Sequence, residues 1–197
     1  NAGRVMGLLR SHPFNFNKQL ASIITGITTY DNSLPQGSPT SPIISNMICR
    51  KLDMELIKLA ILNNWNYSRY ADDITISSNT LNDNLAFKTE EGINPGEIIQ
   101  NIIVKNGFSL NKKKIRIACP SQSKWVTGVK VNDRLNVSRK FIRQVRSMLY
   151  SLEKQKETCD ILGNPNNCKL LNVIRGKISH IGNVKGRDNS IYIKLYN

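Results

Sequence analysis

Asp72 and Asp73 are adjacent and lie between two alternating runs, Asn66-Tyr67-Ser68-Arg69-Tyr70 and Ile74-Thr75-Ile76-Ser77. That pattern predicts a β-hairpin with both acids at its tip. Neighbouring carboxylates repel each other, and burying them without a counter-charge is costly. A divalent cation removes the cost, and magnesium is the guest that hard carboxylate oxygens suit. Two such ions drive phosphoryl and nucleotidyl transfer by activating the attacking hydroxyl and stabilising the leaving pyrophosphate. The same dipeptide also makes an ordinary turn on a solvated hairpin, so the surrounding residues decide between the two.

Helices must carry that hairpin. Residues 1–30 read as helical, with Val5, Leu8 and Leu9, a break at His12-Pro13, then Leu20, Ile23, Ile24 and Ile27. Pro35, Gly37, Pro39 and Pro42 make 31–42 a shaped loop. Ile44, Ile48, Leu52, Leu56 and Leu59 then mark an amphipathic helix from Ile43 to about Leu62. The polar stretch 78–96 reads as a loop or the lead-in to a helix across Ile98–Ile103, which Gly107 stops. Ile115–Ala118 and Trp125–Val131 read as strands. Ser138 caps a helix running to about Glu157, with Phe141, Val145, Met148, Leu149 and Leu152 on one face and Arg139, Arg143 and Arg146 on the other. A last helix spans roughly 169–181.

The 197 residues carry a net charge of +14. Residues 1–104 sum to −1, whereas 105–146 hold twelve basic side chains against Asp133 alone, for +11. A field so concentrated suits a polyanion, because each neutralised phosphate releases condensed counterions; a solvated basic face is the plain alternative. No apolar run approaches the length of a membrane span, so no membrane partner is expected. Cys49, Cys119, Cys159 and Cys168 are far apart, which fits neither a zinc site nor a disulfide framework and makes a reducing cytoplasm the expected setting. His12 and His180 read as packing or surface residues. The first residue is Asn rather than Met, and a fragment or a processed chain is the expectation.

Three motifs in order give the acids a context. Tyr70-Ala71-Asp72-Asp73 between β-forming runs resembles the catalytic hairpin of reverse transcriptases. Leu34-Pro35-Gln36-Gly37-Ser38-Pro39-Thr40-Ser41-Pro42, continued by Ile43-Ile44-Ser45-Asn46, resembles the family's loop-to-helix motif, and Gly107-Phe108-Ser109-Leu110-Asn111 with Lys112–Lys114 is similar to its next palm motif. Val126-Thr127-Gly128 narrows the resemblance to retron-type bacterial enzymes, with group II intron and antiviral-defence relatives close by. Arg175-Gly176-Lys177-Ile178-Ser179-His180-Ile181 is similar to the thumb helix of this lineage. The resemblance runs across nearly the whole chain.

It implies an α+β fold: a polymerase palm of antiparallel sheet backed by helices over 1–135, then a mostly helical thumb over 136–197. It also implies RNA-directed DNA synthesis in a bacterial cytoplasm, with antiviral defence as one setting. Asp72 and Asp73 would hold two Mg2+ ions. Gln36, Gly37, Tyr70 and Ala71 would line the deoxynucleotide pocket, with simple turn-making as the other role for Gln36 and Gly37. Lys114 would neutralise or protonate the departing pyrophosphate, and Lys112 and Lys113 compete for that role. Asn46, Trp125, Thr127, Gly128, Arg139, Arg143 and Arg146 would contact the template RNA and its primer duplex; Trp125 is alternatively a core residue.

The family's palm also needs an aspartate on an upstream apolar strand. The first aspartate here is Asp31, in the loop before Leu34 and on the wrong side of the helices to substitute. The metal ligand set is therefore expected to be incomplete, with fingers and an upstream palm segment supplied in cis or in trans. The rival readings are a non-catalytic palm-fold RNA-binding scaffold, a group II intron-like reverse transcriptase, and a different palm enzyme such as a nucleotide cyclase or an RNA-templated RNA polymerase. A scaffold gains nothing from two uncompensated acids.

Overall fold

The structure is a computed structural model, and it describes all residues except 81–84, 90–91, 120 and 159–164, together with the side chains at 88–92 and 155–168. The chain divides into two compact units, Asn1–Ile117 and Ala118–Asn197.

In the first unit, α1 (Ala2–Arg10) and α2 (Lys18–Thr28) are separated where His12-Pro13 interrupts the helical pattern. Asparagine opens both: Asn1 accepts from the Arg4 amide at 3.1 Å and Asn17 from the Leu20 amide at 2.8 Å, each satisfying a donor that the first helical turn leaves unpaired. Val5, Leu9 and Ala21 form a small core against Ile24, Leu34, Ile44 and Ile48. The loop then turns into α3 (Ser41–Leu62), with Pro42 in its first turn, where a missing N–H costs nothing.

Strands β1 (Asn66–Tyr70) and β2 (Asp73–Ser77) form an antiparallel hairpin in the register Tyr70↔Asp73 through Asn66↔Ser77. Its inward side chains Tyr67, Ile74 and Ile76 join Leu52, Leu56 and Ala60 of α3, Trp65, and Ile99 and Ile103 of α4 (Glu97–Lys105) in the main core of this unit. The hairpin is thus fastened to α3 along its length, leaving its tip exposed.

Two readings change here. The polar stretch 78–96 contains a short hairpin, β3 (Ala86–Thr89) with β4 (Gly92–Pro95). Ile115–Ala118 is not a strand: Lys112–Lys114 make one 3-10 turn and extended chain follows. Its period-2 alternation finds no neighbouring strand among the described residues, and a lone strand leaves its backbone groups unpaired.

In the second unit, β5 (Trp125–Val126), β6 (Val129–Val131) and β7 (Leu135–Asn136) form an antiparallel meander. The Ser138 hydroxyl accepts from the Phe141 amide at 3.0 Å and opens α5 (Arg139–Thr158) as the sequence predicts. α6 (Pro165–Lys185) is longer than expected, and α7 (Ser190–Tyr196) was not legible beforehand. Val137, Ile142, Val145, Leu152, Ile174, Ile178, Ile181 and Leu195 form the core. A Cβ at Gly182 would lie 2.6 Å from the Tyr192 ring, so glycine there lets α7 close onto α6. The strands and helices give the expected α/β mixture, with several small antiparallel sheets among the described residues where one palm sheet was expected.

Candidate active site

Ala71 and Asp72 are the two residues between the paired ends of β1 and β2. Ala71 has φ +52°, a left-handed conformation that costs a residue with a Cβ on the order of 1 kcal/mol. A tight hairpin requires such a residue at its bend, and the bend projects the following carboxylate outward: the Asp72 side chain is 85% exposed. Tyr70, at the end of β1, is exposed as well.

The 3-10 turn Lys112–Lys114 brings a cation to the acids. Asn111 accepts from the Lys113 amide at 3.2 Å and shapes the turn. Lys114 Nζ then lies 4.0 Å from Asp72 Oδ2. Of the three competing lysines, Lys114 is the one paired with the acid. Both side chains are largely exposed, and an ion pair in water contributes little stability. The proximity therefore does little for folding. Further back, Arg4 of α1 donates to the Gly107 carbonyl, and its guanidinium lies 4.3 Å from the centre of the Phe108 ring, which anchors the start of the lysine-bearing motif.

The hairpin acids suit magnesium in donor type, being hard, solvent-facing carboxylates on consecutive residues. Among the described residues no group of three or more His, Cys, Asp or Glu comes together. Buried free Cys49 has its thiol pushed up by burial, which makes it a packing residue.

Gln36 and Gly37 are the central residues of a turn closed by the Ser38 amide on the Pro35 carbonyl at 3.4 Å. Gly37 has φ +84°, the conformation required at the third position of a type II turn. A Cβ there would meet nothing within 4 Å, so the glycine answers to its backbone angle and faces open space. The Ser41 hydroxyl donates to the Pro35 carbonyl at 2.7 Å and ties this turn to the start of α3.

One group of residues was missed by sequence reasoning. Tyr67 and Arg69, two apart on β1, share the face turned to α3. Arg69 grips Asp53 through both carboxylate oxygens, Nε to Oδ1 at 2.7 Å and Nη2 to Oδ2 at 2.6 Å, and the Tyr67 hydroxyl donates to Oδ1 at 2.7 Å. Arg69 Nη1 donates to Asn46 Oδ1 at 3.2 Å and to the Ala71 carbonyl at 2.8 Å. Asn46 thus meets the hairpin through Arg69. The Arg69 hydrogen bonds hold the Asp53 carboxyl below its usual range, and burial, reinforced by Asp53, pushes the Tyr67 hydroxyl up. The signal available beforehand was a charged residue on the inward face of a strand, which demands a partner.

In the second unit, Thr127 (φ +47°) and Gly128 (φ +85°) are the two residues linking β5 to β6. Positive φ at both central positions is the type I′ form of such a turn. Glycine meets that freely, while a β-branched threonine there is strained. Trp125 is 44% exposed, which rules out the core alternative. It lines a cavity of about 520 Å³ with Lys130, Asn136, Ser138, Arg139 and Lys185. Arg139, Arg143 and Arg146 are all exposed on α5 while Val145 is buried, as the stripe predicts, and Ile142, outside that stripe, is buried too. His180 packs edge-on against Phe141, their ring centres 5.6 Å apart. Among the described residues no helix is long and apolar enough to cross a membrane.

Residues 12–165 match the family model described as reverse transcriptase (RNA-dependent DNA polymerase). The chain is 30% identical over 152 residues to the retron Ec86 reverse transcriptase of Escherichia coli, an overlap covering 77% of this chain and 44% of that protein. It is 34% identical over 134 residues to the retron Mx162 reverse transcriptase of Myxococcus xanthus, covering 63% and 27%. With the retron Ec73 reverse transcriptase of Escherichia coli it shares 36% identity over 126 residues, covering 59% and 36%. The chain therefore spans less than half the length of these curated relatives. The family match takes in the Gln36-Gly37 turn, α3, the acid-tipped hairpin and the lysine turn together, and on that extent the chain belongs to the reverse transcriptase family, as a member of its retron-type bacterial branch.

Proposed function

We propose that this chain is the catalytic palm and thumb portion of an RNA-directed DNA polymerase, which joins deoxynucleotides to a primer along a structured RNA template. The observation that carries the reading is the 4.0 Å approach of Lys114 to Asp72 at the hairpin tip. It joins two motifs separated in sequence into one acid-and-base centre on a chain of this family.

In this reading Asp72 and Asp73 hold the Mg2+ ions, which supply activation of the primer 3′-hydroxyl and charge stabilisation at the phosphates. Lys114 balances the Asp72 carboxylate. During reaction it neutralises or protonates the departing pyrophosphate. The Gln36-Gly37 turn, Tyr70 and Ala71 border the nucleotide, and the open space at Gly37 suits close backbone approach. Residues 1–135 act as palm and 136–197 as thumb, the rest of the ligand set coming from a fingers and upstream palm segment. Trp125 offers a stacking face beside the cations of its cavity, and Arg139, Arg143 and Arg146 offer a phosphate-binding row with no base preference. The strained Thr127-Gly128 turn supports a role for that hairpin at the nucleic acid. The retron relatives support a bacterial setting, and antiviral defence is the setting we propose.

The test is incorporation by the complete polymerase on a primed RNA template. Deoxynucleotides are expected to be incorporated in preference to ribonucleotides. Arg143→Ala is expected to weaken RNA binding alike for unrelated sequences, and to lower the slope of log affinity against log salt by about one. Ribonucleotide preference would shift the reading to an RNA polymerase, and RNA binding without any incorporation would shift it to a scaffold.

A further inference from the structure

Arg69 uses four of its five N–H donors. Two close on Asp53, one reaches Asn46, and one reaches the Ala71 carbonyl in the bend that carries Asp72. Asn46 and Asp53 are seven residues apart, two turns along the same face of α3. They fix the guanidinium plane at both ends, and the Arg69 side chain is only 7% exposed. Ala71 meanwhile holds a left-handed backbone angle that its Cβ disfavours. A bend in a disfavoured conformation persists when its surroundings over-determine it, and the Arg69 side chain grips the backbone of this one through the Ala71 carbonyl, in addition to the ladder hydrogen bonds.

We propose that Arg69 is a positioning residue: braced by Asp53 and Asn46 on α3, it holds the Ala71 carbonyl and so sets the bend that aims the Asp72 and Asp73 carboxylates. The inference rests on the polymerase reading of those two acids. Arginine is required by the geometry, since a planar fork serves a bidentate carboxylate on one edge and a backbone carbonyl on another, which the single ammonium of lysine does not do. The role is that of the outer partners that orient metal-binding carboxylates without touching the metal.

The test compares wild type, Arg69→Lys, Asp53→Asn, the double variant of those two, and Asp72→Asn in the complete polymerase. Four quantities are read: Mn2+ affinity by electron paramagnetic resonance, kcat and KM for deoxynucleotide, RNA affinity, and the thermal unfolding midpoint. Arg69→Lys is expected to weaken Mn2+ binding and lower kcat each by roughly 10-fold to 100-fold, with KM and RNA affinity held within about twofold. Asp53→Asn should reproduce that profile, and the double variant should be no worse than the worse single one, because the two residues act as one unit. Unchanged Mn2+ affinity and kcat in Arg69→Lys would overturn the inference. So would a parallel fall of RNA affinity, Mn2+ affinity and unfolding midpoint, which assigns the pair to the fold alone. Full incorporation by Asp72→Asn, or none by wild type, would instead count against the polymerase reading; Mn2+ affinity would still decide the role of Arg69. Wild-type Mn2+ binding that does not depend on Asp72 would overturn the inference as well.

Discussion

Asp72→Asn lowers magnesium-dependent deoxynucleotide incorporation by the complete polymerase by about 1000-fold, while its affinity for primed RNA stays within about twofold of wild type; the loss corresponds to about 4 kcal/mol of transition-state stabilisation, the scale expected of a catalytic cation. Asparagine keeps the size of the side chain and removes its charge. The position is exposed at the hairpin tip, where substitutions change stability by no more than about 0.5 kcal/mol, so unfolding does not mimic the effect. RNA affinity is expected to hold because it draws on the cations of 105–146, a stretch with a net charge of +11, and not on an acid. Primer extension and a filter-binding titration on the same preparation check both halves. Near-normal synthesis would detach Asp72 from the metal.

The second large effect is a loss by omission. Purified residues 1–197 should extend no primer above background, whereas the same residues joined to a segment carrying the family's upstream aspartate strand should. Two carboxylates stand at the hairpin tip, and among the described residues no third acid, His or Cys joins them. A pair of cations that must hold both the attacking and the leaving oxygen calls for more than one pair of adjacent acids. The measurement is labelled-deoxynucleotide incorporation by both preparations at matched concentration. Robust synthesis by residues 1–197 alone would refute the prediction.

What the sequence made legible follows from the range of the forces involved. The helix over 41–62, the acid-tipped hairpin and the arginine face of α5 are patterns within one segment, where period alone settles which side is buried. The loop at Gln36-Gly37 was readable because a positive φ calls for glycine. Ile115–Ala118 misled because alternation reports a possible strand, and a strand exists only beside a partner. The β3–β4 hairpin was hidden in a polar stretch with Gly92 and Pro95, whose turn signals outweighed four-residue strands. Arg69 was missed for the opposite reason: its partner Asp53 is sixteen residues away on another element. Only the register of β1 on α3 brings the two together. Lys114 was distinguishable from Lys112 and Lys113 only once the 3-10 turn fixed which of the three reaches Asp72.

That a cation is seated on the bend after Tyr70 is tested most directly by replacing magnesium with iron(II) in the complete polymerase bound to primed RNA and deoxynucleotide, then mapping backbone scission by locally generated hydroxyl radicals. Cleavage centred on residues 70–74, suppressed by excess magnesium and absent in Asp72→Asn, is the predicted result. Cuts clustered elsewhere, with the bend intact, would contradict it.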